Sequence, residues 1–466
     1  MSDVMGNKKL IVKDIIEQGK GKLLQGDLSL ELGDFCKDSR LVKKGDVYLG
    51  IKGDNFDGND FYRDAIEKGA SVCILDSDKD ISGVSLNVTI VRVEDTVRCI
   101  QELAKYKRSL YDIPVIAITG SVGKTSTKDM IYSVLSEKYK TWKTVGNYNN
   151  HIGVPLTILG LKDEEALVVE MGMNHKGEIE VLTNIACPTM AVITNVGTSH
   201  IGNLGSRENI LRAKLEILEG LDDQGVLFIN NDNDLLHDSY EELKNKYKVV
   251  TIGINNDSDY RASNIKDDIF QSKFDIENKD IDVEVEIGGE AYIYNALMAY
   301  AIGDKLGIDK KLIKRGIEKF KLSSNRLERK INKRGTIVID DTYNANYDSM
   351  KSSVMLLGKV RGKRRIAILG DMLELGEYAV KLHTDIGEVV SDNNVDILIT
   401  IGNYSKYIAD RALELGFIHD NIYGFDREDE CYELLEALVT DHDVVLVKGS
   451  HGMHLINVVE KIMELE

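Results

Sequence analysis

The chain has 466 residues, with 59 lysines and arginines against 77 aspartates and glutamates, and a formal net charge of −18. At roughly 100 to 200 residues per domain this length points to about three domains, each able to bury a core. The acidic balance, without any block of five or six like charges, excludes DNA, RNA and acidic lipid as obvious partners. It leaves room for an anionic small molecule met by backbone amides, a few lysines and a metal ion.

The start of the chain lacks the apolar run and small-residue cleavage site of a signal peptide, and no apolar stretch approaches the roughly 20 residues needed to span a bilayer. Five scattered cysteines, Cys36, Cys73, Cys99, Cys187 and Cys431, include no C-x-x-C pair and read as reduced thiols. These features together predict a soluble, cytoplasmic protein.

The first ~110 residues predict short strands, turns such as KKGD and KGDNFDG, and a helix near Asp60–Lys68. From there on, short apolar runs alternate with amphipathic stretches, the pattern of parallel α/β units. Strands are expected over Val115–Thr119, Ala166–Met171, Met190–Val196, Gly225–Asn230, Thr336–Asp340, Arg365–Leu369, Asp396–Ile401 and Asp443–Val447. Polar residues gather just after these strands, and in open α/β sheets that carboxyl edge binds ligands. Boundaries near Leu110 and Leu322–Arg326 define three expected domains, residues 1–110, 111–325 and 326–466.

The first strand of the second domain runs into Gly120-Ser121-Val122-Gly123-Lys124-Thr125-Ser126. Strand, glycine loop and helix start occur in the order that lets backbone amides meet phosphate oxygens, with Lys124 on the terminal phosphates and the Thr125 hydroxyl suited to Mg²⁺. A standard G-x-x-x-x-G-K-T loop has glycine where Ile118 stands, so a variant class of phosphate loop is expected rather than an ordinary NTPase or kinase. Glu170 closes the strand ALVVE and His200 follows MAVITN; each suits a divalent ion beside ATP, although a lone residue of either kind is as readily structural.

The segment Arg207–Leu221 predicts a helix. At about 100° per residue, Ile210, Leu211, Leu215, Ile217 and Leu218 share one arc, with Glu208, Asn209, Arg212, Glu216 and Glu219 opposite. Lys214 falls inside the apolar arc. A lysine there must snorkel, find a partner or lose its charge; a neutral amine could also capture CO₂ and become a metal-binding carbamate.

Taken together, TGSVGKTST, GNYNNHIGVPLT (146–157), VVEMGMNHKGEI (168–179), ITNVGTSHI, ENILRAKLEIL, SNRLE (324–328), DDTYNAN (340–346), GDMLELGE and VKGS (447–450) resemble the Mur ligases. The N-terminal KDSRLVKKGDVYLGIKGDNFDGNDF extends the resemblance over essentially the whole chain. The resemblance implies a small mixed α/β domain for a UDP-sugar, a central P-loop ATPase-like parallel-sheet domain and a C-terminal Rossmann-like domain. It implies an ATP-dependent amide ligase that adds D-alanyl-D-alanine to UDP-N-acetylmuramoyl-tripeptide through an acyl phosphate, without a nucleic-acid partner and as a monomer. Gly120 to Ser126, Asn295, Arg326 and Asp341 are then implied at ATP. Thr125, Glu170, His200 and carbamylated Lys214 are implied at Mg²⁺, with Lys124, Lys214 and His200 catalytic. Asp38, Ser39 and Arg40 are implied at the UDP-sugar.

The chain departs from the family pattern at Ala291 and Tyr292, where His and Asn are common before Asn295, at Asn325 for Gly, at Tyr347 for Pro and at His451 for Arg. A paralogue with another amino acid or dipeptide acceptor, a folylpolyglutamate synthase-like ligase and a catalytically silent nucleotide-binding homologue are the competing readings.

Overall fold

The computed structural model describes residues 9–322 and 325–465. It is α/β throughout, and the chain packs as two compact units. The first gathers residues 9–119, 139–191 and 215–227; the second gathers residues 120–138, 192–214, 228–322 and 325–465. The extreme N-terminus (1–8) and Ser323–Ser324 within the expected boundary at Leu322–Arg326 lie outside the described residues.

In the first unit a five-stranded sheet takes the order Lys22–Gln25, Thr89–Arg92, Val72–Leu75, Val47–Gly50, Phe35–Cys36, with only the Lys22–Gln25 edge antiparallel. Its apolar face packs Tyr48, Ala65, Cys73, Leu75 and Ile90 into one cluster. The helix expected near Asp60 begins as a 3-10 turn, Gly58–Phe61, and continues as Tyr62–Glu67. The Asp95 side chain caps helix Thr96–Ser109, accepting from the amide of Arg98. The same unit holds the parallel trio Val115–Thr119, Ala166–Glu170 and Thr141–Lys143, with Ala166–Glu170 in the middle.

In the second unit, Lys248–Gly253 runs parallel to Tyr260–Asp267, which continues antiparallel into Ser272–Ile276 and Asp282–Val285. This antiparallel extension makes the sheet mixed, where the sequence predicts a parallel one. Its strands alternate buried and exposed residues and carry so many Asp, Asn and Lys that no apolar run announces them. Helix Lys124–Leu135 packs against Glu290–Lys305 and Lys310–Glu318.

The C-terminal sheet has six strands, Glu328–Ile331, Ile337–Asp341, Asp443–Lys448, Arg364–Gly370, Ile397–Ile401 and Ile422–Phe425 in spatial order. Apart from the first, neighbours run parallel. Ile337–Asp341, Asp443–Lys448 and Ile397–Ile401 are buried along their whole length, as expected for a sheet covered by helices on both faces. The five cysteines are all free thiols, and only Cys187 is exposed. Among the described residues no helix is long and apolar enough to cross a membrane.

Candidate active site

The phosphate loop leaves strand Val115–Thr119 and enters helix Lys124–Leu135 through two glycines in conformations that side chains disfavour, Gly120 at φ +155° and Gly123 at φ +82°. A Cβ on Gly120 would stand 1.8 Å from the Thr194 hydroxyl oxygen, so the loop backbone must press directly on the next strand's end. The Lys124 ammonium folds back to the Gly120 carbonyl at 2.7 Å. The first-turn amides of the helix face forward, an arrangement suited to anionic oxygens. The amides of Ser121 and Val122, expected at the phosphates, instead donate to Asn195 Oδ1 at 3.1 and 3.0 Å. Asn195 thus shapes the loop, a role that its place in ITNVGTSH did not announce.

His200 is reached through a run of contacts with the same loop. The amide of Gly197 donates to Ser121 Oγ at 2.9 Å and the Ser199 hydroxyl donates to the Ser121 carbonyl at 2.9 Å. His200 itself takes a left-handed φ of +61°, uncommon for a side-chain-bearing residue and a recurrent mark of functional strain. Its Nδ1 lies 3.2 Å from the Glu374 carboxylate. Burial, reinforced by the nearby Lys124 charge, lowers the imidazole pKa, while Glu374 opposes the shift.

Lys214 is 1% exposed, among the largest fully buried side chains of the molecule. Burial, followed by repulsion from Lys124, pushes its amine well below the ordinary lysine range. The lysine that the helical wheel places in an apolar stripe therefore does not snorkel. The helix carrying it is shorter than expected: it ends at Leu215, and a 3-10 turn runs from Glu216 to Gly220. The tighter winding corrects the placement of Glu216, expected on the solvent face. Glu216 is buried, and its two carboxylate oxygens accept from the Gly177 amide at 2.8 and 3.0 Å, capping helix Glu178–Ala186.

Asn295, Arg326 and Asp341 also belong to the second unit. Asn295 Oδ1 accepts from the Thr127 hydroxyl at 2.7 Å, directly behind the loop. Arg326 Nη2 donates to Thr125 Oγ1 at 3.2 Å. Asp341 accepts from the Lys448 ammonium at 2.6 Å and the Ser353 hydroxyl at 2.7 Å, and from the Leu327 amide at 3.2 Å, so it anchors the backbone beside Arg326. Tyr292, one of the departures from the family pattern, is buried; its hydrogen bond with Ser126 is outweighed by desolvation, which raises the phenol pKa. The structure thus brings together Gly120 to Ser126, His200, Lys214, Asn295, Arg326 and Asp341 in the second unit, and adds Asn195 and Glu374, which motif reading alone did not single out.

Glu170 and the trio Asp38, Ser39 and Arg40 belong to the first unit. Glu170 ends its strand with Oε1 accepting from Asn149 Nδ2 at 2.9 Å, while its amide donates to the Thr144 hydroxyl oxygen at 3.0 Å. The GNYNNH segment therefore orients this carboxylate. Arg40 chelates Asp38 through Nε and Nη2 at 2.9 and 2.7 Å, which holds the Asp38 carboxyl at a pKa of about 2. Ser39 stands half-exposed between them.

Three family models match along the chain: the Mur ligase family, catalytic domain over residues 36–108, the Mur ligase middle domain over 118–303 and the Mur ligase, glutamate ligase domain over 325–451. The UDP-N-acetylmuramoyl-tripeptide–D-alanyl-D-alanine ligase of Bacillus subtilis (strain 168) is 35% identical over 459 residues, covering 98% of this chain and 99% of its own. The chain belongs to the Mur ligase family. The Escherichia coli (strain K12) ligase of the same name is 31% identical over 95% of this Mur ligase and 96% of its own length. Among solved structures, MurF from Acinetobacter baumannii superposes with a TM-score of 0.89 at 30% identity, covering 98% of this chain and 99% of that one. MurF ligase from Thermotoga maritima in complex with ADP has a TM-score of 0.81 at 28% identity, covering 92% and 97%. The three-domain α/β architecture of this Mur ligase is that of these relatives.

Proposed function

We propose that this chain is an ATP-dependent peptide ligase that joins D-alanyl-D-alanine to UDP-N-acetylmuramoyl-tripeptide in the cytoplasm, for peptidoglycan precursor synthesis. The observation that carries the reading is end-to-end similarity to the Bacillus subtilis enzyme of that name, 98% of this chain against 99% of the relative, in a chain whose phosphate loop, His200, Lys214 and Arg326 share one unit. Residues 1–110 would receive the UDP-sugar through Asp38, Ser39 and Arg40, residues 111–325 would bind ATP, and residues 326–466 would complete the site.

In this reaction a carboxylate oxygen of the tripeptide attacks the γ-phosphorus of ATP, giving an acyl phosphate and ADP. The amine of D-alanyl-D-alanine then attacks the acyl carbon; phosphate leaves with the bonding pair and the amine loses a proton. Two anions meet in the first step, so the protein must supply positive charge at the γ-phosphoryl group. Lys124, released from the Gly120 carbonyl, and Arg326, beside Thr125, supply it; the first-turn amides of helix Lys124–Leu135 orient the phosphates.

Mg²⁺ fits the residues present under one condition. Among the described residues there is no group of three or more His, Cys, Asp or Glu that could hold a metal, and a Lys214 amine without CO₂ offers no oxygen to a hard cation. A buried neutral amine, however, adds to CO₂ with loss of a proton, and the resulting carbamate offers oxygens to a hard cation. Of the expected ligands, Thr125, His200 and carbamylated Lys214 share the second unit and would then hold the ion. Bound Mg²⁺ would neutralise charge on the β- and γ-phosphates.

Phosphate release by the purified protein tests this reading, with ATP, Mg²⁺ and UDP-N-acetylmuramoyl-tripeptide, comparing D-Ala-D-Ala, D-Ala-D-Ser, D-Ala-D-Lac and single amino acids. The expected result is release that requires both the nucleotide-sugar and D-Ala-D-Ala. Turnover only with another acceptor would make the chain a Mur paralogue, and no turnover with any would overturn the enzymatic reading.

A further inference from the structure

Arg326 is carried on an unusually constrained piece of backbone. Its neighbours Asn325 and Leu327 both lie in the left-handed region, at φ +63° and +50°, which is uncommon for asparagine and rare for a residue as bulky as leucine. Both flanks are tied to segment 341–343. The Tyr343 amide donates to the Asn325 carbonyl at 3.0 Å, and the Leu327 amide donates to Asp341 Oδ1 at 3.2 Å. On this frame the Arg326 guanidinium lies over the Tyr343 ring, 3.8 Å from its centroid, while Nη2 reaches the Thr125 hydroxyl oxygen at 3.2 Å. The ring of His451 flanks Tyr343 at 6.3 Å.

An arginine side chain has several rotors, and holding its end in one place is entropically unfavourable unless something fixes it. A planar, weakly hydrated guanidinium stacks on an aromatic face in a way that an ammonium cannot. Tyr343 offers that face from the same segment that fixes the arginine's backbone. Ring and main chain therefore define one position for the charge, beside the second residue of the phosphate-loop helix.

We propose that Tyr343 is a positioning residue for the nucleotide: its ring holds the Arg326 guanidinium at Thr125, so that the charge is preorganised for the terminal phosphates. This rests on the reading of Arg326 as a nucleotide-binding group.

The test is a double-mutant cycle on the full-length protein, reading the affinity for the non-hydrolysable ATP analogue AMP-PNP with Mg²⁺ by calorimetry and checking each variant's fold by thermal melting. Tyr343 is only half-buried, so its variants are expected to fold. Tyr343→Phe, which keeps the ring, is expected to bind within twofold of the parent. Tyr343→Leu and, as a second variant, Tyr343→Ser are each expected to bind about fivefold more weakly, the size of a cation–π contact that is still partly solvated. Arg326→Ala is expected to bind at least tenfold more weakly, and adding Tyr343→Leu to it should change nothing further. Multiplication of the two losses in the double variant would overturn the proposal, as would a Tyr343→Leu or Tyr343→Ser protein of parental affinity, or a Tyr343→Phe protein as weak as Tyr343→Leu. Parental affinity in Arg326→Ala would instead remove the reading of Arg326 on which the proposal stands.

Discussion

Asp348 Oδ2 accepts two hydrogen bonds from a single residue, Thr198: from its amide at 2.7 Å and from its hydroxyl at 2.9 Å. Thr198 lies between Gly197 and the strained His200, and Asp348 lies in the first turn of helix Tyr347–Gly358. A Cβ on Gly197 would stand 2.2 Å from that same carboxylate oxygen. Neighbouring Asn346 donates to Ser199 as well, so the start of one helix fixes the loop that carries the imidazole.

Asp348→Ala should therefore lower stability by about 2 kcal/mol, the loss of charge-assisted hydrogen bonds that are partly buried, and should reduce turnover by loosening His200. Gly197→Ala should cost about 1 to 3 kcal/mol through overpacking. Because its clash is with the removed carboxylate, Gly197→Ala in the Asp348→Ala background should cost much less. Denaturant unfolding of the two single variants and the double variant checks this; strictly additive losses would refute the shared contact.

Lys214→Ala should abolish turnover while leaving the fold intact, and short-chain carboxylic acids such as formate or acetate should restore part of the activity by placing a carboxylate in the vacated space. Phosphate release with and without the added acid measures it. Full activity in the unsupplemented variant would remove the carbamate role.

Lys448 and Asp341 form a buried ion pair at 2.6 Å. Removing one partner of such a pair leaves a desolvated charge, so Lys448→Met should destabilise by about 3 kcal/mol. It should also disturb Arg326, because the Asp341 carboxylate holds the Leu327 amide. Thermal melting and AMP-PNP affinity should fall together; a stable variant with unchanged affinity would contradict the prediction.

His383 gives the protein an acid-sensitive point. The ring is fully buried, Nδ1 donates to the Ala379 carbonyl at 2.7 Å, and Nε2 accepts from the Met372 amide at 2.9 Å. A second proton would have to displace that amide, and burial pushes the ring's pKa down. The folded state then binds fewer protons than the unfolded one, so the stability tied to this histidine is complete above about pH 6.5 and is lost as pH falls from there toward the lowered folded value. The slope is at most about 1.4 kcal/mol per pH unit. His383→Gln should flatten the stability profile between pH 6.5 and 5 relative to the parent; parallel profiles would exclude the effect.

The parallel strands and the phosphate loop were legible because buried apolar runs and glycine–lysine spacing are local signals. Strand Val115–Thr119 came out as expected, and the others shifted by a few residues. Lys214 was legible because helical periodicity alone places it among apolar residues. The same periodicity misplaced Glu216, since a switch from α to 3-10 winding leaves no mark in an apolar pattern. Strands 260–285 were hidden by their polar faces. Asn195, Asp348, Glu374 and Tyr343 were not legible because their roles depend on partners 73, 150, 174 and 17 residues away, respectively, along the chain.

The contrast among the cysteines makes the chain suitable for site-selective labelling without engineering. Desolvation raises the thiol pKa to about 12 at Cys73, Cys99 and Cys431, and raises it at Cys36 as well; thiols so protonated are poor nucleophiles. Cys187 alone is exposed, at the C-terminal end of helix Glu178–Ala186. A maleimide dye at neutral pH should attach there first, giving a reporter on the first unit while the nucleotide-sugar is titrated.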